Sequence, residues 1–318
     1  MNRKSKVAFS TADDNRDLGF GSVVARESRQ RLLNRDGSFN VTRGGFGFWP
    51  SLNLYHTLIT TSWLKFFAVV TSSYLVLNAI FAVAYSLCGP EALNGGGTEL
   101  GILRTFFFSI QTFATIGYGH INPVGLVANV IVTFESLFGL LWLALATGLV
   151  FARFSRPTAK IAFSERAVIA PYRGITAFEF RIANERKNQI IELEAKVLFS
   201  HFIEEKGMRT RRFDLLSLER SKVSFFPLNW TVVHPIDGAS PLSGRSEDNL
   251  RALEAEFLIL LTGIDETFSQ TVHARSSYRW DEIEWNAKFG SMYNQPLNNS
   301  ELTIDMRRLH VIEKLRGK

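Results

Sequence analysis

The strongest constraint on the fold is an apolar run without a charged side chain, which extends over residues 66–87. A run of this length is enough for one helix to cross a hydrocarbon core of about 30 Å. Trp63 and Lys65 stand just before it and are typical of residues that anchor a helix at the membrane interface. The sequence therefore predicts an outer membrane-spanning helix over residues 63–88.

A second apolar segment begins near Pro123 and predicts an inner spanning helix over residues 123–154. Basic residues are frequent before the first span and follow the second, whereas residues 89–122 contain only Arg104 and no lysine. Cytoplasmic flanks of membrane spans carry the excess of Lys and Arg. We therefore expect a multi-pass protein of the cell (inner) membrane with both termini in the cytoplasm.

The apolar stretch at residues 103–114 lies between the two spans and is too short to cross the membrane. It predicts a re-entrant pore helix, after which the chain continues as the loop TIGYG at residues 115–119. Irregular backbone at membrane depth is tolerated where it lines a watery cavity. The Gly-Tyr-Gly tripeptide alone is commoner as a turn in a soluble loop, but the flanking spans favour an ion-selectivity filter.

The loop itself supplies the predicted ion ligands. Four such loops around one axis would stack the backbone carbonyls of Thr115, Ile116, Gly117 and Tyr118, with the Thr115 hydroxyl, in place of the hydration shell of K⁺. Gly117 and Gly119 give the backbone the freedom that this requires, and the Tyr118 ring is expected to pack behind the filter. K⁺ is thus the expected permeant ligand. No cofactor and no other metal site is predicted, because the six histidines show no paired ligand spacing.

The composition fits a membrane part joined to a water-facing part. Of the 318 residues 46% are hydrophobic, which is high for a soluble protein and too low for a chain that is membrane throughout. The formal charge of +6 includes many basic residues before residue 43, for which a membrane surface is a better partner than nucleic acid. Cys88 is the one cysteine, so no internal disulfide can form. We find no set of side chains that predicts an enzyme.

After Pro157, short runs rich in β-branched and aromatic residues predict an all-β sandwich with a short helix at residues 248–256. Helical spacing of apolar residues before the first span predicts an interfacial slide helix, although a buried helix of a soluble domain would show the same pattern. The predicted strands are 175–183, 190–202, 209–218, 223–233 and 256–262. The predicted divisions are a cytoplasmic N-terminal tail at 1–47, the slide helix at 48–62, the transmembrane pore domain at 63–156, the β-sandwich at 157–302 and a C-terminal tail at 303–318.

With these features in place, the chain resembles the inward-rectifier potassium channels, most closely their prokaryotic (KirBac-type) branch. The resemblance implies a homotetramer with a slide helix, two spans per subunit and a cytoplasmic immunoglobulin-like β assembly. The matching stretches are 34–41 (NRDGSFNV), 109–119 (SIQTFATIGYG), 144–157 (ALATGLVFARFSRP), 240–242 (SPL) and 274–285 (ARSSYRWDEIEW).

On the second span, Gly139, Leu143, Thr147 and Phe151 recur every fourth residue and share one helix face. The resemblance implies that this face lines the pore and that Phe151 occupies the narrow crossing, where four phenylalanine rings would close the path by dewetting. Without the resemblance, the same stripe is compatible with ordinary helix packing. Gly139 is predicted as a hinge, with close packing of helices as the alternative.

Three positions depart from the usual pattern of the family. Strong rectifiers have an acid where this chain has Leu143, so strong polyamine or Mg²⁺ block by that route is not expected. Gln111 replaces the usual acid of the pore helix, and His120 follows the filter, so filter stability or its response to pH is expected to differ. Glu135 is an acid inside a span, where such residues are functional or paired. We expect it near the filter, either tuning the local potential or accepting hydrogen bonds.

Four cations are predicted to face anionic lipid at the cytoplasmic surface, each attracting headgroups by about 1 kcal/mol. They are Lys65, Arg153, Arg156 and Lys160. The alternative is that they only set the topology. For the whole chain, two other functions stay open at this point: a weakly selective cation channel, and a membrane-anchored β-domain receptor with a vestigial pore.

Overall fold

The computed structural model describes residues 31–40, 53–96, 101–155, 159–186, 188–205, 207–226, 228–294 and 303–315. The chain divides into two compact units. The membrane unit comprises Gly44–Arg156, and the β unit comprises Met1–Arg43 together with Pro157–Lys318.

Four helices form the membrane unit: α1 (Leu54–Thr60), α2 (Trp63–Leu87), α3 (Gly101–Phe113) and α4 (Gly125–Phe154). Among the described residues, α2 and α4 are the two helices that are long and apolar enough to cross a membrane. Only 17% and 11% of their most apolar windows are buried within the chain, so neither is the core helix of a soluble domain. α3 has 13 residues and is too short to cross.

The helix predicted over residues 48–62 is seen over Leu54–Thr60, and residues 48–52 lie outside the described ranges. It begins at Leu54 because the Asn53 side chain accepts a hydrogen bond from the backbone N–H of His56 (3.0 Å). It ends because Thr61 and Ser62 are extended, and α2 begins immediately afterwards at Trp63. The outer helix is therefore close to its predicted bounds, and the described part of the slide helix ends at Thr60, before the predicted end at residue 62.

Two short strands frame the pore segment, β1 (Leu93–Gly95) before α3 and β2 (Ile121–Pro123) after it. They pair in antiparallel fashion, with Gly95 opposite Ile121. A Cβ atom on Gly95 would stand 2.0 Å from the carbonyl oxygen of His120, so only glycine permits this approach. Ala92 also accepts a hydrogen bond from the backbone N–H of Val124 (2.8 Å). The two ends of the pore segment are thus held together.

Two five-stranded sheets form most of the β unit. The first has the order β11-β10-β6-β7, with β8 also paired to β6; the second has the order β12-β4-β5-β3, with β9 also paired to β5. The strands are β3 (Ile161–Phe163), β4 (Ala167–Tyr172), β5 (Ile175–Asn184), β6 (Ile190–Glu205), β7 (Met208–Leu215), β8 (Lys222–Phe226), β9 (Asn229–Ile236), β10 (Glu256–Asp265), β11 (Gln270–Arg279) and β12 (Ile283–Trp285). A short helix, α5 (Glu247–Ala252), precedes β10.

The core of the β unit contains buried aromatic side chains from both sheets. Phe178 of one sheet stacks on Phe257 of the other with ring centroids 4.2 Å apart, and Phe199 lies 5.2 Å from Phe257. Such pairs add to the stabilisation from burial of apolar area. The unit is therefore a sandwich, as the sequence predicts.

Two predicted features of the β unit are wrong in detail. The run predicted as one strand over 223–233 forms β8 and β9, because each pairs with a different sheet. The strand predicted over 209–218 ends at Leu215 and so is three residues shorter than predicted at this end.

Residues predicted as tails are partly folded. Within the C-terminal stretch, a 3₁₀ turn (Met306–His310) precedes β14 (Ile312–Lys314), which pairs with β13 (Ala287–Phe289). Near the N-terminus, Leu32 and Leu33 are buried against Phe213 of the β unit. The apolar side chains in these short polar stretches are few, which is why their pattern did not predict burial.

Candidate ion pathway

The predicted filter begins directly at the end of α3. The backbone N–H groups of Ile116 and Gly117 both bond the carbonyl oxygen of Gln111, at 2.8 and 3.3 Å, and Thr115 N–H bonds the carbonyl of Thr112 at 3.0 Å. These bonds satisfy carbonyls at the C-terminal end of the pore helix, which otherwise have no partner within the helix. The carbonyl oxygen of Gln111 thus accepts two hydrogen bonds from the loop, and the role of Gln111 as filter support stays a prediction. The negative end of the helix dipole leads into the loop, which favours a cation there.

The backbone of the loop alternates in handedness. Thr115, Gly117 and Gly119 have φ values of +57°, +57° and +73°, whereas Ile116 and Tyr118 between them do not have positive φ. For a β-branched residue such as Thr115 this conformation is strained, at a cost of about 1–3 kcal/mol. Strain of this size is typical of functional sites. When successive residues alternate between left-handed and right-handed backbone conformations, the peptide groups between them turn so that polar atoms of the same kind face one side.

The side chains of the loop are largely exposed within one chain. The Tyr118 ring is 74% exposed, so the packing that was predicted for it is not supplied by the same chain. At the far end of the loop, the Asn122 side chain donates to the carbonyl oxygen of Gly119 (3.1 Å). His120 is exposed. Exposed apolar surface of this extent is typical of an interaction site.

A buried polar cluster lies behind the loop, centred on Glu135 of α4. Tyr85 of α2 donates its hydroxyl to Glu135 Oε2 (2.5 Å), and Ser109 of α3 donates to Glu135 Oε1. Ser109 Oγ also lies 3.1 Å from Asn78 Oδ1, and the Asn78 amide donates to the carbonyl oxygen of Tyr74 (2.8 Å). Tyr85, Ser109, Glu135 and Asn78 have no exposed surface in the chain. Buried polar groups are stable when they are hydrogen-bonded, so the cluster ties the outer, pore and inner helices together.

This cluster extends what the sequence predicts. Glu135 was predicted near the filter, and it contacts the pore helix through Ser109. Tyr85, Ser109 and Asn78 were not predicted as site residues. A signal for them exists, because polar side chains within an apolar span or pore helix usually bind one another or a functional group.

Gly139 of α4 packs against the last residue of the pore helix. A Cβ atom at this position would stand 2.3 Å from the carbonyl oxygen of Phe113. Next to this contact, the rings of Tyr74, Phe113 and Trp142 pack with centroids 5.3 to 6.1 Å apart. α4 continues as one helix through Gly139. The close-packing alternative therefore has direct support, and the hinge stays a prediction.

The remaining stripe residues, Leu143, Thr147 and Phe151, are all exposed in the chain. Phe151 is 73% exposed, and Leu143 is 57% exposed. These side chains therefore do not belong to the packed core of the membrane unit. An exposed apolar stripe on a spanning helix faces lipid, another subunit or a pore.

Of the four cations predicted to face lipid, Arg153 is engaged inside the membrane unit. Its guanidinium donates to the carbonyl oxygen of Thr61 (2.7 Å) and to that of Leu58, at the end of α1. It also lies over the rings of Trp63 and Phe66, 4.4 and 4.6 Å from their centroids. Cations at a helix C-terminus and over aromatic faces are both favourable. Arg153 thus joins the end of the inner helix to α1.

The other three cations have different surroundings. Lys65 of the membrane unit and Lys160 of the β unit are exposed. Arg156 lies outside the described residues. Lipid contact at these positions stays a prediction.

The membrane unit has two long apolar helices, with a short re-entrant helix and a loop of alternating backbone handedness between them in the chain. This arrangement defines the class of protein as a two-span ion-channel subunit. Comparisons with known proteins narrow this class. The family model "Ion channel" matches residues 69–156, and the family model "Inward rectifier potassium channel C-terminal domain" matches residues 161–317. The chain belongs to the inward rectifier potassium channels, in their prokaryotic KirBac-type branch.

Similar proteins match this chain over nearly its whole length. Inward rectifier potassium channel Kirbac3.1 of Paramagnetospirillum magnetotacticum is 45% identical over 297 residues, which cover 92% of this chain and 99% of the relative. Inward rectifier potassium channel irk-1 of Caenorhabditis elegans is 26% identical, covering 96% of this chain and 60% of the relative. Human inward rectifier potassium channel 18 is 28% identical, covering 92% of this chain and 73% of the relative. The protein is a membrane-embedded potassium channel and not an enzyme, and K⁺ is its permeant ion.

Proposed function

We propose that four copies of the chain surround one axis, onto which the carbonyl oxygens of residues 115–118 and the Thr115 hydroxyl face to replace the water around K⁺. The single observation that carries this proposal is the alternating sign of φ at Thr115, Gly117 and Gly119 directly after the pore helix. Neutral carbonyl dipoles bind a dehydrated K⁺ ion firmly enough to replace hydration and weakly enough to release it. The exposed Tyr118 ring supports a further subunit beside each loop.

Gating is proposed at the cytoplasmic end of α4, with both termini in the cytoplasm. The exposed stripe of Leu143, Thr147 and Phe151 would face the axis, and four Phe151 rings would exclude water from the closed pore. Leu143 carries no charge to attract a blocking polyamine or Mg²⁺, so weak rectification is expected from this route. Lys65 and Lys160, which are exposed, are proposed to attract anionic headgroups.

The proposal is tested by ion flux into liposomes that contain the purified full-length protein. We expect uptake of ⁸⁶Rb⁺ that is inhibited by K⁺ and not by Na⁺. The native mass should equal that of four chains. Gly117→Ala should abolish this uptake, because L residues other than glycine rarely adopt φ near +57°. Gly174→Ala is the matched control, since Gly174 also has positive φ and lies in a turn of the β unit. Equal permeability to K⁺ and Na⁺, or a native mass that is not fourfold, would contradict the proposal.

The lipid part needs a separate measurement. Flux is compared in liposomes with and without anionic lipid, for the parent and for Lys65→Gln with Lys160→Gln. A change in flux with anionic lipid that the double variant loses would support headgroup binding at these lysines. An unchanged lipid response in the double variant would contradict it.

A further inference from the structure

A cavity of about 310 Å³ lies on the β unit. It opens where β7, the residues after α5 and the end of β11 meet. Its lining residues are Arg31, Arg211, Arg251, Glu254, Glu256, Arg279 and Trp280. Four guanidinium groups thus face two carboxylates, which leaves the lining with an excess of positive charge.

Both carboxylates of the lining already have partners. Glu256 is buried; it accepts hydrogen bonds from the backbone N–H groups of Leu32 (3.0 Å) and Leu33 (3.2 Å) and lies 3.3 Å from Arg211 Nη1. Glu254 lies 3.0 Å from Arg209. These carboxylates are therefore not free to neutralise the remaining arginines of the cavity.

Arg31 is held in place at one side of the cavity. Its guanidinium forms a bidentate pair with Glu282 (3.0 and 3.1 Å) and donates to the hydroxyl of Ser277 (2.8 Å). A side chain fixed by several hydrogen bonds loses little further entropy when a ligand arrives. Arg31 thus forms a fixed wall of the cavity, and Glu282 compensates its charge.

Arg251 and Arg279 supply the available donors. Both are exposed, and in the described part of the chain no carboxylate lies within ion-pair distance of Arg251. Its guanidinium lies 5.4 Å from the centroid of the Trp280 ring. The backbone N–H of Arg279 donates to Glu282 Oε2 (2.8 Å). The Arg279 side chain pairs with Asp281 at 3.6 Å, with nearly half of each side chain exposed. Such an exposed pair is weak, at about 0–1 kcal/mol, so an incoming anion can replace it.

We propose that this cavity binds a compact, soluble anion with two or more phosphate groups. Guanidinium groups bind phosphate through two parallel N–H···O bonds. Arg251 and Arg279 stand on different segments, so an anion with several charged groups can bind both at once. A volume of 310 Å³ is at the lower end for small-ligand pockets and suits a short polyphosphate. The lining is charged and contains one aromatic residue, which does not suit an acyl chain.

Calorimetric titration of the purified full-length protein with inorganic tripolyphosphate tests the proposal. We expect one saturable site per chain whose affinity falls as KCl is raised. Arg251→Gln and Arg279→Gln should each weaken binding by about tenfold or more, since each removes charge-assisted hydrogen bonds. Arg220→Gln is the matched control, because Arg220 is an exposed arginine of the β unit outside the cavity lining. Glu254→Gln should tighten binding by about twofold to fivefold.

Several outcomes would overturn the proposal: no saturable binding, equal affinity of the parent and the Arg251→Gln/Arg279→Gln double variant, or equal weakening by Arg220→Gln. A second arm uses vesicles that display a multiply phosphorylated lipid headgroup. Binding to such vesicles without binding of tripolyphosphate would overturn the assignment to a soluble ligand. Neither arm measures ion flux, so the outcome is independent of the proposed pore.

Discussion

Substitution of Gly139 by alanine tests the contact between the inner helix and the pore helix. The added Cβ would stand 2.3 Å from the carbonyl oxygen of Phe113 and 3.2 Å from its Cα atom. Ordinary contacts between carbon and a carbonyl oxygen are about 3.3–3.6 Å, so the two helices would have to separate by about 1 Å. The clashing atom belongs to the backbone and cannot rotate away.

The change in the free energy of unfolding follows from two opposing effects. Overpacking of a tightly packed interior costs about 1–3 kcal/mol, whereas alanine in place of glycine in a helix interior gains about 0.5–1 kcal/mol. We therefore expect Gly139→Ala to be destabilising, with a lower Tm of the purified channel. It should also reduce K⁺ flux in liposomes, because the displaced residue, Phe113, lies two positions before Thr115, the first residue of the filter segment.

Gly148 provides the matched control on the same helix. Within the chain nothing lies within 4 Å of a Cβ atom added at Gly148, so Gly148→Ala should gain helix propensity without a clash. Its Tm should equal or exceed that of the parent. If Gly139→Ala has the same Tm and the same flux as Gly148→Ala, the close approach to Phe113 does not govern this position and the reasoning is refuted.

Three further predictions concern the buried cluster, the gate and the β unit. Tyr85→Phe removes the donor to Glu135 Oε2 and leaves the one from Ser109 to Oε1. It should cost about 1–3 kcal/mol of unfolding free energy, seen as a lower Tm and weaker K⁺ over Na⁺ selectivity. Tyr74→Phe is the control, and an equal loss in both would count against the cluster. Phe151→Ala should make the closed pore wetter and raise basal ⁸⁶Rb⁺ flux, so unchanged flux would argue against the gate. Burial lowers the pKa of His234, so between the folded value and about pH 6.5 the unfolded chain binds more protons and stability falls as pH falls. His234→Asn should lose less Tm than the parent between about pH 7.5 and 5.5, and an equal loss would remove His234 as a cause.

The spanning helices could be predicted because one free-energy cost, that of placing a charge in the membrane, determines which residues they can contain. Any charge placed within residues 66–87 would have to enter the hydrocarbon core, so an uncharged run is a strong signal. The start of the inner helix was displaced only from residue 123 to Gly125. The break between Phe226 and Asn229 was not predicted, because β8 and β9 are both apolar enough to be interpreted as one strand.

The finer geometry of the site depends on contacts that sequence patterns do not contain. The positive φ of Thr115 is against the preference of a β-branched residue, and the surrounding structure imposes it. The hydrogen bond from Tyr85 to Glu135 joins residues 50 positions apart in the chain. The sequence could not show whether Arg153 bonds the end of α1 or only sets the topology, because both roles require a cation after the span.

Two groups of contacts hold the inner helix within the chain. From Glu135 to Trp142 it is fixed to the pore and outer helices, and at Arg153 it is fixed to the carbonyls at the end of α1. A helix held at both ends of a segment can move there by bending between the two contacts or by displacing one of them. A channel built on this chain would therefore change pore width by bending between residues 142 and 153, or else α1 would slide whenever the pore widens.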